Sequence, residues 1–106
     1  MKVEPPGPCM ADVVLRALRG RWATHILTVV AEHERIQFNE LRREIPQISA
    51  KVLTEQLKYL VASGVLVREQ LDHGRKEVIY SYTQRGHELK QALDGLNALA
   101  VRWTKP

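Results

Sequence analysis

The 106-residue sequence has a single cysteine, Cys9, and no apolar run approaching the roughly 20 residues that span a bilayer. Because one cysteine cannot form an intrachain disulfide, the hydrophobic core must stabilise the fold, which fits a reducing compartment. The first residues, which include Pro5 and Pro6, lack the apolar segment of a secretory signal. We therefore expect a cytoplasmic protein with no membrane association.

The sequence also lacks the short motifs that mark common enzyme classes. It has no glycine-rich phosphate loop, no HExxH zinc motif, no CxxC pair and no nucleophile elbow. His25 and His33 fall on one predicted helix, about 12 Å apart by helical rise, which is too far to share an ion. We therefore predict a protein that is not an enzyme and that uses no metal and no cofactor.

Basic charge is present and is concentrated in the middle of the chain. Sixteen Lys and Arg residues against twelve Asp and Glu residues give a net charge of +4. Residues 35–76 contain eight basic and five acidic side chains and so contribute +3 of this excess. An ordinary solvated surface would account for such a charge, but the charge is also what a protein that binds nucleic acid would carry.

The length corresponds to one domain, and the apolar spacing predicts that it is mainly α-helical with a small β-hairpin. Residues 1–8, which contain three prolines, are expected to form a flexible arm ahead of a domain at residues 9–106. Asn39 and Ser49 are plausible N-caps of the third and fourth helices. The pattern predicts helices at residues 11–18, 22–32, 38–45, 50–62 and 84–103, and strands at residues 65–71 and 78–82.

The third and fourth helices are separated by a short turn that contains Pro46, as a helix-turn-helix requires. In that motif the second helix lies in the major groove of DNA. Lysine can donate to guanine or phosphate, a threonine methyl can meet thymine, and glutamate can accept from cytosine. The DNA-binding candidates on these two helices are Asn39, Arg42, Ser49, Ala50, Lys51, Thr54, Glu55 and Lys58.

The predicted hairpin has a basic tip at residues 72–77, which suits a wing that reaches flanking phosphates or the minor groove. Its candidate DNA contacts are Arg68, His73, Arg75 and Lys76. Together with the helix-turn-helix, this wing predicts a winged-helix fold that binds double-stranded DNA. The alternative is a winged helix that docks another protein, although such a face would carry more exposed aromatic residues and fewer lysines.

The apolar residues of the last helix recur at alternating intervals of four and three residues, which is a heptad spacing. They are Leu89, Leu93, Leu96, Ala100 and Trp103. Because four other helices already supply a core, we expect this narrow seam to pack against a partner chain. Packing on the core of its own chain is the alternative.

These residues together resemble the HxlR branch of the MarR-like winged-helix transcription regulators, over nearly the whole chain. The resemblance rests on Cys9, residues 20–22, 38–43, 48–57, 64–66 and 80–83, Gly86, and residues 102–103. It implies a transcriptional regulator that is a homodimer through its first and last helices, which adds Val14 and Leu18 to the interface. It also implies that the Ser49-headed helix reads an inverted-repeat operator. We predict a repressor, with an activator as the alternative.

Some members of that family look like thiol sensors, which makes Cys9 a candidate redox or electrophile sensor. A cysteine at a helix start has its thiolate favoured by the helix dipole and by free amide donors. A thiol that merely packs is the alternative. A small-molecule effector between the dimer helices is another candidate signal, with Trp22 and Trp103 as walls unless these two tryptophans belong to the core.

Overall fold

A computed structural model of the chain describes residues 11–18, 22–72, 74 and 76–105, so the expected arm at residues 1–8 lies outside the described residues. The elements are α1 (Ala11–Ala17), α2 (Ala23–His33), β1 (Arg35–Gln37), α3 (Phe38–Glu44), α4 (Ala50–Ala62), β2 (Leu66–Asp72), β3 (Lys76–Tyr82) and α5 (Gln84–Thr104). No helix in this described part combines the length and apolar character that a membrane crossing requires.

The core is built from the apolar stripes of the helices and the inner face of the sheet. Ile26 and Val30 of α2, one helical turn apart, are fully buried. Leu53, Leu57 and Leu60 of α4 follow the predicted spacing of four and three and are also fully buried. Burial of each such side chain stabilises the fold by about 1.5–3 kcal/mol, so these stripes hold α2 and α4 on one common core.

The wing hairpin is longer than the sequence pattern predicts. β2 and β3 pair in antiparallel register from Leu66 opposite Tyr82 to Asp72 opposite Lys76. The sequence predicted a loop at residues 72–77. Asp72 belongs instead to β2, and Lys76 and Glu77 belong to β3. Gly74 in the remaining turn has a φ of +83°, a backbone conformation that glycine adopts without steric cost.

The sheet has three strands, where the sequence predicted two. β3 is central and pairs with β2 on one side and with β1 on the other, where Ile36 lies opposite Tyr80. α3 begins directly after β1, so Gln37 and not Asn39 is its N-cap residue. The backbone N–H of Gln37 donates to the Glu40 carboxylate at 3.2 Å, which satisfies a donor at this junction.

A hydrogen-bonded joint connects α5 to the end of α4. The Thr83 hydroxyl accepts from the backbone N–H of Gly86 at 3.1 Å, and the carbonyl oxygens of Gly64 and Val65 share its one proton. A Cβ at Gly86 would lie 2.2 Å from the Val65 carbonyl oxygen, so α5 approaches this backbone more closely than any side chain permits. The joint therefore fixes the direction in which α5 leaves the sheet.

A second anchor lies beside this joint. The Tyr82 hydroxyl donates to the Leu27 carbonyl oxygen and ties the end of β3 to the middle of α2. Burial, with a smaller contribution from the Asp94 charge, raises the pKa of Tyr82 far above its usual range. The phenol therefore stays protonated and keeps donating this bond throughout the ordinary pH range.

The first half of the α5 seam packs within the chain itself. Leu89 and Leu93 are 7% and 6% exposed and belong to the same core cluster as Leu57 and Leu60. The structure thus corrects the expectation that these two leucines face a partner chain. Heptad spacing predicts that a stripe is covered but does not indicate which surface covers it.

Candidate nucleic-acid interface

The helix-turn-helix consists of α3, a turn at residues 45–49, and α4. Ile45 and Ile48 in the turn are buried, which anchors it on the core. Ser49 caps α4 as predicted, because its hydroxyl accepts from the Val52 backbone N–H at 3.1 Å. The predicted bounds of α4 are confirmed, and its position follows from the apolar anchors on either side of Pro46.

Two exposed polar contacts lie beside the motif. The His33 Nε2 atom lies 2.7 Å from Glu44 Oε1 and connects the ends of α2 and α3. A 3.0 Å contact between Arg35 and Glu69 connects β1 to β2. Exposed pairs of this kind contribute about 0–1 kcal/mol, so the buried Leu41 contributes more to the position of α3.

A groove of about 820 Å³ opens between α4, the start of α3 and the inner face of the sheet. Its rim consists of exposed polar side chains from four elements. These rim residues are Asn39, Thr54, Lys58, Arg68 and Lys76. The fold therefore brings five predicted DNA-binding residues, distant in sequence, to one surface.

The rim carries unneutralised positive charge. Lys58, Arg68 and Lys76 are exposed, and within the described residues none of them forms an ion pair. Glu77, between Lys76 and Val78 on β3, also lines the groove and is half-buried. Cations converging on a concave surface attract polyanions, and they are suitably placed to contact phosphates.

The floor of the groove is apolar, a feature that the sequence analysis missed. It is formed by Phe38, Leu57, Val61, Val78 and Tyr80, which are buried or half-buried. Each falls on a stripe that predicts core packing, and the gap between α4 and β3 depends on their packing distance. No local sequence signal would have revealed it.

Other predicted contacts on the helix-turn-helix lie outside this groove. Lys51 and Glu55 are exposed on α4, Arg42 is exposed on α3, and Ala50 is half-buried at the start of α4. The Thr54 hydroxyl donates to the Ala50 carbonyl oxygen at 2.8 Å, so its proton is already used within the helix. The Thr54 methyl group and oxygen lone pairs remain for a ligand.

Three predicted functional residues lie outside the described part of the chain. They are Cys9, His73 and Arg75. Within the described residues, no three His, Cys, Asp or Glu side chains come together as metal ligands would. The described site thus consists of polar and cationic side chains around an apolar floor.

The residues expected at a dimer interface separate into exposed and covered sets. Leu96 is 52% exposed and Trp103 77% exposed, and Ala100 between them is exposed as well. In α1, Val14 is 45% exposed, whereas Leu18 is half-buried against the chain's own core. Of the residues expected at the interface, those that stay exposed to solvent therefore lie on α1 and on the C-terminal half of α5.

A second groove, of about 510 Å³, lies between α1, the end of α4 and α5. Its lining includes Val14, Tyr59 and Leu89. Neither of these two grooves is lined by Trp22 or Trp103, the predicted walls of an effector site. Trp22 instead packs against the core, which is the alternative that the sequence left open.

Comparison with known proteins agrees with this geometry. BH0655 of Halalkalibacterium halodurans, named as an HTH-type transcriptional regulator, is 35% identical over 88 residues, or 83% of this chain and 78% of that protein. The crystal structure of the HTH-type transcriptional regulator YtcD superimposes with a TM-score of 0.82 at 31% identity, covering 89% of this chain and 95% of that chain. The reduced form of the Bacillus subtilis transcriptional regulator YodB gives a TM-score of 0.82 at 29% identity, covering 92% and 96% of the two chains.

The similarity extends to the family level. The sequence model of the HxlR-like helix-turn-helix family matches residues 17–106, which include every described element from α2 onward. The predicted winged-helix fold is confirmed, with a three-stranded sheet in place of the two-stranded hairpin. The family is one of transcriptional regulators and not of enzymes. This chain therefore belongs to the HxlR-like helix-turn-helix family of transcriptional regulators.

Proposed function

We propose that the protein is a cytoplasmic transcriptional repressor that binds a specific double-stranded DNA operator. The observation that carries this proposal is the convergence of Asn39, Thr54, Lys58, Arg68 and Lys76 on one surface beside α4. These residues come from four elements and share only this location. In a helix-turn-helix regulator, such a surface is the place where a duplex would dock.

The exposed residues of α4 and of the wing are assigned two different roles. Lys51, Thr54 and Glu55 lie in its first half, which would enter the major groove and read base edges. Ser49 is at the helix start, beside backbone donors that suit a phosphate. Lys58, Arg68 and Lys76 lie further toward the wing and would contact the sugar-phosphate backbone. Specificity and overall affinity are thereby assigned to different side chains.

Alanine substitutions at Lys51 and Arg68 should separate these roles. Lys51→Ala removes a base contact and should lower operator affinity about tenfold while relaxing the preference for that base pair. Arg68→Ala removes a phosphate contact and should weaken operator and unrelated DNA alike, reducing the slope of log affinity against log salt by about 1. Fluorescence anisotropy titrations across salt concentrations measure both quantities.

The duplex for these titrations comes from selection on random-sequence DNA with the purified protein. Lys105→Ala is the matched control, because Lys105 is exposed at the far end of the chain, beyond α5. It should leave affinity and salt slope unchanged. Unchanged binding by both Lys51→Ala and Arg68→Ala would show that this face does not bind DNA, and selection of no sequence would favour the protein-docking alternative.

The operator should be an inverted repeat, because we propose that the protein binds it as a homodimer. The support is the exposed apolar surface on Val14, Leu96, Ala100 and Trp103, which water would otherwise cover. Two recognition helices related by a twofold axis would contact half-sites about 34 Å apart. Each protomer then supplies one α4 and one wing.

We also propose that Cys9 makes the repressor responsive to oxidants or electrophiles. The support comes from YodB, for which both a reduced form and a diamide-treated form have been solved. Because Cys9 is the single cysteine, a disulfide at this position has to join another chain or a small thiol. Either product changes the N-terminal region that precedes α1.

Diamide should lower the operator affinity of the wild-type protein, because a disulfide at Cys9 attaches another chain or a small thiol two residues before α1. Cys9→Ser should bind the operator normally and should no longer respond, because serine does not form a disulfide. Electrophoretic mobility shifts with and without diamide, followed by reduction with dithiothreitol, measure the response. An equal response of Cys9→Ser and wild type would contradict this role.

A further inference from the structure

We propose that Tyr59 is a positioning residue that restricts the half-site spacing the protein accepts, because its hydroxyl holds α1 against the recognition helix α4. The inference rests on the proposed function, in which two protomers read an inverted repeat. The Tyr59 hydroxyl donates to the carbonyl oxygen of Arg16, which lies in the last turn of α1. This bond connects a helix of the proposed dimer surface to the helix that would read DNA.

α1 depends on contacts with the rest of the protomer. It has seven residues, and a helix of fewer than about 12 residues is only marginally stable by itself. Val14 and Leu15 are about half exposed, whereas Ala17 and Leu18 pack partly buried against the core. Among the described residues, the contacts that hold α1 therefore lie at its C-terminal end.

The bond from Tyr59 acts at that same end. The Arg16 carbonyl is one of the last four of α1, which have no partner within the helix, so the phenol satisfies an acceptor that the helix leaves open. A tyrosine side chain has two rotatable torsions, and it can therefore hold such a bond at a small cost in entropy. The bond defines where the end of α1 lies on α4.

Both helices of the proposed dimer surface attach to the same end of α4. The Ser63 backbone N–H donates to the Tyr59 carbonyl at 2.9 Å, and the Ser63 carbonyl accepts from Arg85 of α5 at 3.0 Å. The adjoining Thr83 joint and the close backbone approach at Gly86 fix α5. The attachment of α1 instead uses the hydroxyl of a side chain, so one substitution can remove it and leave the backbone as it is.

This attachment bears on the distance between two recognition helices. Lys51, which we assign to base reading, precedes Tyr59 by eight residues, or about 12 Å along α4. One extra base pair between the half-sites would displace one of them by about 3.4 Å and rotate it by about 35°. The complex would then have to deform the DNA or move α4 against α1, and the second route breaks the Tyr59 bond.

Tyr59→Phe should therefore change the spacing preference and not the best affinity. The bond is present in the free protein and in the complex with the selected duplex, so its removal cancels between these two states. We expect one base pair inserted or removed between the half-sites to weaken wild-type binding about tenfold or more. Tyr59→Phe should recover about fivefold of this loss, the factor that corresponds to one hydrogen bond. Fluorescence anisotropy with the three duplexes measures the ratios.

Tyr82→Phe is the matched control, because it also removes one bond from a tyrosine to a backbone carbonyl. That bond joins β3 to α2 and does not involve α1. Tyr82→Phe should lower the melting temperature measured by circular dichroism and should keep the wild-type spacing preference. Wild-type affinity ratios in Tyr59→Phe, or the same change of ratios in Tyr82→Phe, would overturn the positioning role.

The attachment itself is tested without DNA by amide hydrogen exchange followed by NMR. The Leu18 N–H, which donates to the Leu15 carbonyl at 3.1 Å, should exchange about fivefold faster in Tyr59→Phe and at the wild-type rate in Tyr82→Phe. Unchanged exchange in Tyr59→Phe would show that the bond does not hold α1. Failure of the proposed function appears instead as no selected duplex, or as wild-type affinity that is independent of spacing. Either result would overturn the effect on spacing, and the exchange rates would still decide whether Tyr59 holds α1.

Discussion

Gly86→Ala is expected to lower the free energy of unfolding by about 3 kcal/mol, at the upper end of the usual cost of overpacking. The added methyl group would lie 2.2 Å from the Val65 carbonyl oxygen, and a backbone atom cannot rotate away as a side chain can. Relief of the clash has to move α5, which breaks the bonds that Thr83 makes to Gly64 and Val65. Urea unfolding followed by circular dichroism measures the change.

Gly95→Ala is the matched control on the same helix. A Cβ at Gly95 would meet nothing within 4 Å, so the substitution should stabilise the protein by about 0.5–1 kcal/mol through the better helix propensity of alanine. The two identical substitutions are therefore expected to have opposite signs. A neutral Gly86→Ala would show that α5 does not approach the Val65 backbone this closely.

Leu96→Asp combined with Trp103→Asp is expected to convert the proposed dimer into monomers. Both side chains are exposed in the protomer, so the substitutions leave the core intact and act where a partner would pack. Loss of two central apolar residues typically weakens an interface by about 1,000-fold or more, even before the repulsion between the introduced charges. Sedimentation equilibrium measures the dimer dissociation constant, and melting curves measure the stability of each form.

Operator affinity should fall with the dimer, because a monomer contacts a single half-site. Ala98→Asp is the control, since Ala98 is exposed on the opposite side of α5 from Leu96 and Ala100. It should leave both the dimer and DNA binding unchanged. Persistence of the dimer in the double variant would place the interface on another surface.

Local signals explain why the recognition helix could be predicted from the sequence. Pro46 ends α3, Ser49 caps α4, and the leucine spacing within α4 gives its buried stripe, so each boundary is encoded by residues within one turn of it. The polar residues opposite that stripe were therefore predicted to be exposed, and Lys51, Thr54, Glu55 and Lys58 are exposed. The same reasoning identified Arg68 and Lys76 on the hairpin.

Features that depend on contacts between distant segments were not predictable in this way. β1 has three residues, and only Ile36 among them is buried, so no periodic pattern marks it as a strand. Leu89 and Leu93 have the spacing of a dimer seam, but the core of the chain covers them first. The groove exists because α4 and β3 leave a gap, and that gap depends on packing distance rather than on any one segment.

Gln37 has a further consequence, because it is both the last residue of β1 and the N-cap residue of α3. The wing and the helix-turn-helix are thus joined by backbone hydrogen bonds across β3, with no intervening linker. A change in the angle between the wing and α3 would have to break this ladder. In the proposed dimer each protomer would therefore present a preset shape, and adjustment to operators of different half-site spacing would fall to the angle between the two subunits.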